Sequence, residues 1–218
     1  MLVLASTSPR RAMLLKEGGF SFVLQKADVS EELPLKIKPE AGVQELALRK
    51  ALAGQKAWIN SGGCAEDIIL GADTIVAIDD QILGKPADEK EAQTMLQRLS
   101  GRHHDVYTGV ALVNGTGCRE NTAIRTQVFF RPITLEEIKA YIATGEPMDK
   151  AGAYAIQGGA KDFVEHYEGS LSNVIGLPME YVSERLRAWG IEQENITLRE
   201  VEDGLSSVKG SFRGFIAP

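Results

Sequence analysis

The residue of this chain that most needs a chemical explanation is Asp73, a single acid inside the apolar run Ile68-Ile-Leu-Gly-Ala-Asp73-Thr74-Ile-Val-Ala-Ile78. Such a run reads as a strand buried on both faces. A charge within it is costly unless a cation or metal accompanies it. The plainer alternative is a carboxylate bonded to backbone amides at a strand end or bulge. Asp79-Asp80 then makes a hairpin turn, Gln81 to Gly84 returns, and Lys85-Pro86 stiffens the exit. An acid and a lysine at adjacent strand ends suit a metal-phosphate site, and equally an ordinary ion pair. A third group stands at the start, in Leu2-Val-Leu-Ala-Ser6-Thr7-Ser8-Pro9-Arg10-Arg11. Ser8 suits a helix N-cap and Pro9 the first helical position. Two hydroxyls (Ser6, Ser8) and two guanidinium groups (Arg10, Arg11) at the positive end of a helix can hold a phosphate, or make only a well-capped helix with solvated arginines.

Weaker signals complete the set. Glu31-Glu32 closes the acidic stretch Asp28-Val-Ser-Glu31-Glu32, which reads as a solvated loop or as the source of one carboxylate for Mg²⁺. Lys50 flanks the apolar stripe of a helix, a snorkelling position or a ligand. Gln157, beside Gly158-Gly159 in a run of small residues, offers both a donor and an acceptor, as reading a base edge requires, and the small residues let a backbone approach a ligand.

The elements that must position these groups follow from periodicity and punctuation. Residues 2–5 predict a strand and the next turn a helix stopping at Gly18-Gly19. A second strand is expected over Phe20–Leu24, a loop from Pro34 to Pro39, and a helix from Gly42 through Gly54. Asp88 to Leu99 is an amphipathic helix, His103-His104 a loop pair of structural character, and 106–113 with 123–130 a hairpin around Asn114-Gly115. Thr134-Leu-Glu-Glu137 is a capping box, and Met179 to Trp189 a last helix. The segment 191–218 loses periodicity and reads as a loosely attached tail after one domain spanning 1–190.

Composition limits the alternatives. At 218 residues, 44% hydrophobic and 25% charged, the chain can bury a sizeable core. No apolar run reaches the roughly 18 residues of a membrane span, and no leader peptide is evident, so a cytoplasmic location without membrane association is expected. Cys64 and Cys118 lack the spacing of a zinc site or disulfide framework. A net charge of -6 argues against a broad nucleic-acid-binding face. A polyanionic ligand must therefore meet a local cluster of Lys and Arg.

In order along the chain, Ala5-Ser-Thr-Ser-Pro-Arg-Arg11, Glu31-Glu32, Lys50-Ala51, Gly71-Ala-Asp73-Thr74, Gly84-Lys85-Pro86, Leu99-Ser-Gly101, Tyr107-Thr108, Asp149-Lys-Ala-Gly-Ala-Tyr-Ala-Ile-Gln157-Gly158, Gly169-Ser170 and Asn173-Val-Ile-Gly-Leu-Pro178 resemble the Maf family of nucleotide pyrophosphatases, also called septum-formation inhibitors. The resemblance implies an α/β fold of the Maf/ITPase-like kind, with a long mixed β-sheet, flanking helices and two lobes around a deep cleft, often as a homodimer. It implies hydrolysis of a nucleoside triphosphate to the monophosphate and pyrophosphate with a divalent cation, Mg²⁺ or Mn²⁺. Asp73 corresponds to the catalytic acidic residue, which acts as a proton acceptor. Asp73 and Glu32, or Glu31 in its place, would hold the metal, and Ser6, Ser8, Arg10, Lys50 and Lys85 the phosphates. Arg11, Thr74 and Gln157 match the subgroup acting on dTTP and UTP. The competing expectation is a non-catalytic nucleotide-binding regulator of cell division, since binding and catalysis would use the same phosphate ligands.

Overall fold

The computed structural model describes residues 1–194, so the expected tail at 191–218 falls almost entirely outside the described residues. Along the chain run β1 (Leu2–Ala5), α1 (Pro9–Glu17), β2 (Val23–Leu24), α2 (Pro39–Asn60), β3 (Ile68–Ile78), β4 (Gln81–Leu83), α3 (Glu89–Leu99), β5 (His103–Val113), β6 (Arg119–Phe130), α4 (Leu135–Ile142), β7 (Val164–Glu168), α5 (Leu171–Ile175) and α6 (Met179–Ala188). Short 3₁₀ turns at Glu146–Asp149, Ala151–Ala153 and Gly159–Phe163 link α4 to β7. One seven-stranded sheet runs β2-β1-β3-β5-β6-β7, with β4 pairing β3. It is mixed: β1 is parallel to β2 and β3, and β3, β5, β6 and β7 pair antiparallel in turn.

β3 carries the argument because it passes through two apolar cores. Its first half joins Leu2, Leu4, Leu15, Leu112, Leu177 and Leu186 through Ile68, Leu70 and Ala72. Its second half joins Leu96, Leu99, Val128, Phe130, Ile138 and Phe163 through Val76 and Ile78. Asp73 and Thr74 stand where the strand leaves one core for the other. The cleft between the two lobes opens at that crossing, and both residues line it.

The alternation of the strand turns Ile69 toward α2, where it packs with Ala47 and Ala51. Gly71 and Asp73 follow on the same face. At Gly71 the helix backbone lies directly on the sheet: a Cβ there would come within 2.4 Å of the Ala47 carbonyl and 2.5 Å of the Ala51 nitrogen. On the neighbouring strand a Cβ at Gly109 would sit 2.1 Å from the Val43 carbonyl. Two glycines on adjacent strands thus seat α2 at a depth that no other residue type allows.

Several elements differ from expectation in extent. α2 starts at Pro39, whose ring occupies the first helical turn, where its missing N–H is no loss. β2 is confined to Val23–Leu24. The histidine pair, expected in a loop, opens β5 in register with Phe129 and Val128. Alternation leaves His103 exposed and buries His104, whose Nε2 is 2.8 Å from the Tyr154 hydroxyl. Asp79 and Asp80 both take positive φ, 52° and 58°, as the tight turn between β3 and β4 requires. The Thr134 capping box forms in full. Among the described residues no helix is long and apolar enough to cross a membrane.

Candidate active site

The seating of α2 decides what Asp73 meets. Ala51 presses on Gly71, so the preceding residue, Lys50, reaches across to Asp73, and its Nζ donates to Asp73 Oδ1 at 2.5 Å. The same ammonium donates to Glu31 Oε1 at 2.7 Å. One cation therefore joins two carboxylates that are 42 residues apart. Asp73 is 8% exposed. That degree of burial is tolerable because the charge has a directly bonded partner. The Lys50 hydrogen bond holds the Glu31 carboxyl below its ordinary range, against the opposing effect of burial, with further attraction from Lys85 and Arg11.

Glu32 is placed differently. It is exposed and does not line the cleft, and its carbonyl accepts from Arg49 Nη1 at 2.8 Å. Of the acidic pair, Glu31 faces Asp73.

Arg11 lies across the floor of the cleft, 9% exposed. Its Nε donates to the Gly176 carbonyl at 2.8 Å, Nη1 to Ser6 Oγ at 3.3 Å and Nη2 to Thr74 Oγ1 at 3.1 Å. Burial lowers its pKa, while the Asp73 charge opposes that shift. Ser8 holds the N-cap position of α1 but its side chain caps nothing; its N–H bonds back to Ser6 Oγ at 3.1 Å. The opening turn thus lines the cleft with an uncommitted Ser8 hydroxyl and a Ser6 hydroxyl whose oxygen accepts from Ser8 N–H and Arg11.

Arg10, Lys85 and Gln157 line the same cleft, whose volume is about 860 Å³. Lys85 leaves β4 where the backbone is tied to the opposite wall, since Gly152 N–H donates to the Gly84 carbonyl at 3.0 Å. Gly152 needs positive φ (69°) there, and a Cβ would fall 2.8 Å from Val76 Cγ1. Lys150 also lines the cleft, its ammonium bonded to Asp149. Sequence reasoning passed over Lys150; its place at the head of the small-residue stretch was the available signal. Thr108 and Asn173, both fully buried behind Thr74, belong to the family-like motifs but carry no role on the sequence alone.

Among the described residues no three His, Cys, Asp or Glu side chains gather as a protein-made metal cage would need. Two carboxylates facing a cleft that also holds phosphate-type cations is the donor set through which Mg²⁺ is held jointly by protein and substrate phosphates. Asp73 and Glu31 fit that set.

Fold and site together define a class of α/β protein in which a mixed sheet, a crossing strand and a deep cleft bring paired carboxylates against lysine and arginine. More narrowly, the chain belongs to the Maf family: the family profile described as "Maf-like protein" matches residues 1–189. A "dTTP/UTP pyrophosphatase" of Desulfitobacterium hafniense is 67% identical over 211 residues, covering 97% of this chain and 95% of that one. That coverage carries the match past the family's span into the C-terminal segment. A protein of the same name from Pelotomaculum thermopropionicum is 43% identical over 190 residues, covering 87% and 96%. Among solved structures, a HAM1 protein from Coxiella burnetii aligns with a TM-score of 0.48 at 17% identity, over 86% of this chain and 98% of that one.

Proposed function

We propose that this chain is a nucleoside triphosphate pyrophosphatase that hydrolyses dTTP and UTP to the monophosphate and pyrophosphate. The observation that carries this reading is the Lys50 bridge between Asp73 and Glu31 at the floor of a cleft walled by Arg10, Lys85 and Lys150. High identity to two proteins named for that activity supports it.

In this reading Asp73 holds the attacking water. Lys50 occupies Oδ1, and Oδ2 has no protein partner among the described residues, so that oxygen is free to accept the water's proton as attack on the α-phosphorus proceeds. Lys85, Arg10 and the Ser6 and Ser8 hydroxyls hold the remaining phosphate oxygens, a task of positioning and charge. Asp73 and Glu31 are the residues for a divalent cation, Mg²⁺ or Mn²⁺, which when bound makes a coordinated water more acidic and offsets phosphate charge. Gln157, with a free donor and acceptor, reads the pyrimidine edge, and the buried Arg11 with Thr74 shapes the pocket beside it.

The enzyme works in the cytoplasm; two exposed free thiols, Cys64 and Cys118, suit a reducing compartment. The chain pairs as a homodimer, as the family resemblance implies. Pyrophosphate release measured across the canonical triphosphates with Mg²⁺ or Mn²⁺ tests the activity. Turnover of dTTP and UTP above the others is expected. Tight binding without any release would instead make the protein a nucleotide-binding regulator.

A further inference from the structure

Hydrogen-bond accounting behind Arg11 gives a direction to two hydroxyls of the cleft. A hydroxyl has one proton and two lone pairs. Thr108 Oγ1 is 2.9 Å from the Asn173 carbonyl oxygen, which can only accept, so the Thr108 proton is committed there. Thr74 Oγ1 lies 3.0 Å from Thr108 Oγ1, and Thr74 must therefore be the donor of that pair. Arg11 Nη2 donates to Thr74. The chain runs one way, from Arg11 through Thr74 and Thr108 to the Asn173 carbonyl. Thr74, which lines the cleft, is left with a single lone pair and no proton for a ligand.

Ser6 is its opposite. Its Oγ accepts from Ser8 N–H at 3.1 Å and from Arg11 Nη1 at 3.3 Å, so both lone pairs are taken and the proton remains. One guanidinium thus separates a hydroxyl that can only donate from one that can only accept. Phosphate oxygens accept, and so belong at Ser6. The ligand group at Thr74 must bring a proton donor, and on the pairing edge of uracil or thymine the imide N–H is the one such group.

The far end of the chain is rigid. Asn173 is fully buried, and its Nδ2 donates to the Val106 carbonyl at 3.1 Å and to Thr126 Oγ1 at 3.0 Å. Thr108 is also fully buried, opposite Thr74 in the β3–β5 register, where no ligand reaches it.

We propose that Thr108 is a specificity-positioning residue: by taking the Thr74 proton it makes Thr74 an obligate acceptor that selects the imide N–H of uracil or thymine. The proposal rests on the pyrophosphatase reading and deepens it. In cytosine the imide N–H and its neighbouring carbonyl are replaced by a bare ring nitrogen and an amino group. The ring nitrogen would face a lone pair.

The test is the ratio of kcat/KM for UTP to that for CTP in wild type, Thr108→Val and Thr108→Ser. Valine releases the Thr74 proton, which can then be donated to cytosine, and the ratio is expected to fall about tenfold or more. Serine keeps the hydroxyl and should stay within about twofold of wild type. If Thr108→Val does not melt cooperatively, Thr108→Ala replaces it with the same expectation. A wild-type ratio near one, an unchanged ratio in the valine variant, or equal losses on both nucleotides would overturn the proposal. No pyrophosphate release from UTP or dTTP by the wild type would instead overturn the activity itself.

Discussion

Lys50 Nζ and Asp73 Oδ1 meet at 2.5 Å although they are contributed by a helix and a strand 23 residues apart, and the contact exists because Ala51 lies against a glycine two residues before the acid. Helix, sheet and reactive group are thereby one mechanical unit. Replacing Lys50 with Met leaves Asp73 and Glu31 facing each other without their shared cation. The expected result is a fall in kcat of about 100-fold, because orientation and charge at the reacting group are lost together. Steady-state kinetics on dTTP checks it, with circular dichroism to show that the fold persists.

Gly71→Ala tests the seating itself. The added methyl meets the Ala47 carbonyl and the Ala51 nitrogen at 2.4 and 2.5 Å. The helix must lift, at a cost of about 1–3 kcal/mol. A lowered denaturation midpoint accompanied by a drop in kcat is expected. Lost stability with unchanged kcat would mean that Lys50 does not depend on this groove.

Much of this arrangement could be read from the residues in order, and the reasons are local. The Ser8-Pro9 helix start, the Asp79-Asp80 turn and the Thr134 capping box each encode their geometry within a few residues. The isolated acid in β3 stood out because burying a charge is costly wherever the strand lies. Glu31 facing Asp73 in place of Glu32 was not decidable, since which of two neighbouring acids turns inward depends on where Lys50 ends up. That in turn depends on glycines in β3 and β5 meeting a helix from elsewhere in the chain. Thr108 and Asn173 fall within the family-like motifs, but their role was not legible for a similar reason: a buried threonine in a strand is ordinary until its proton is traced to a partner 65 residues away. The histidine pair reads as a loop in sequence because β5 opens on three polar residues, His103, His104 and Asp105, before its apolar run begins.

His104 gives the fold a pH dependence with a definite sign. Burial, and to a smaller extent its neighbour His103, pushes its pKa down from 6.5 to about 3. Below pH 6.5 the unfolded chain binds a proton at this position that the folded chain refuses until about pH 3. Stability should therefore fall as pH drops through that window, by up to about 1.4 kcal/mol per pH unit from this group. In His104→Phe, thermal melts between pH 7 and 4 should show a shallower dependence than wild type, since the ring is retained beside Phe130 but cannot titrate.

Gln157→Ala is expected to raise KM for dTTP and UTP more than it lowers kcat. A site that pairs polar edges discriminates by leaving groups unpaired, and loss of the amide should narrow the preference over purine triphosphates by about tenfold. Kinetic constants for UTP and GTP side by side decide it; parallel changes for both would assign Gln157 a purely structural role.

Asp73→Asn provides the most direct test of the account. Asparagine keeps the shape of the side chain but cannot accept the water's proton, and its amide weakens the pairing with Lys50. With dTTP and Mg²⁺ or Mn²⁺, the wild type should release pyrophosphate while the folded variant loses at least about 100-fold in kcat. Near-normal turnover by Asp73→Asn would contradict the account at its centre.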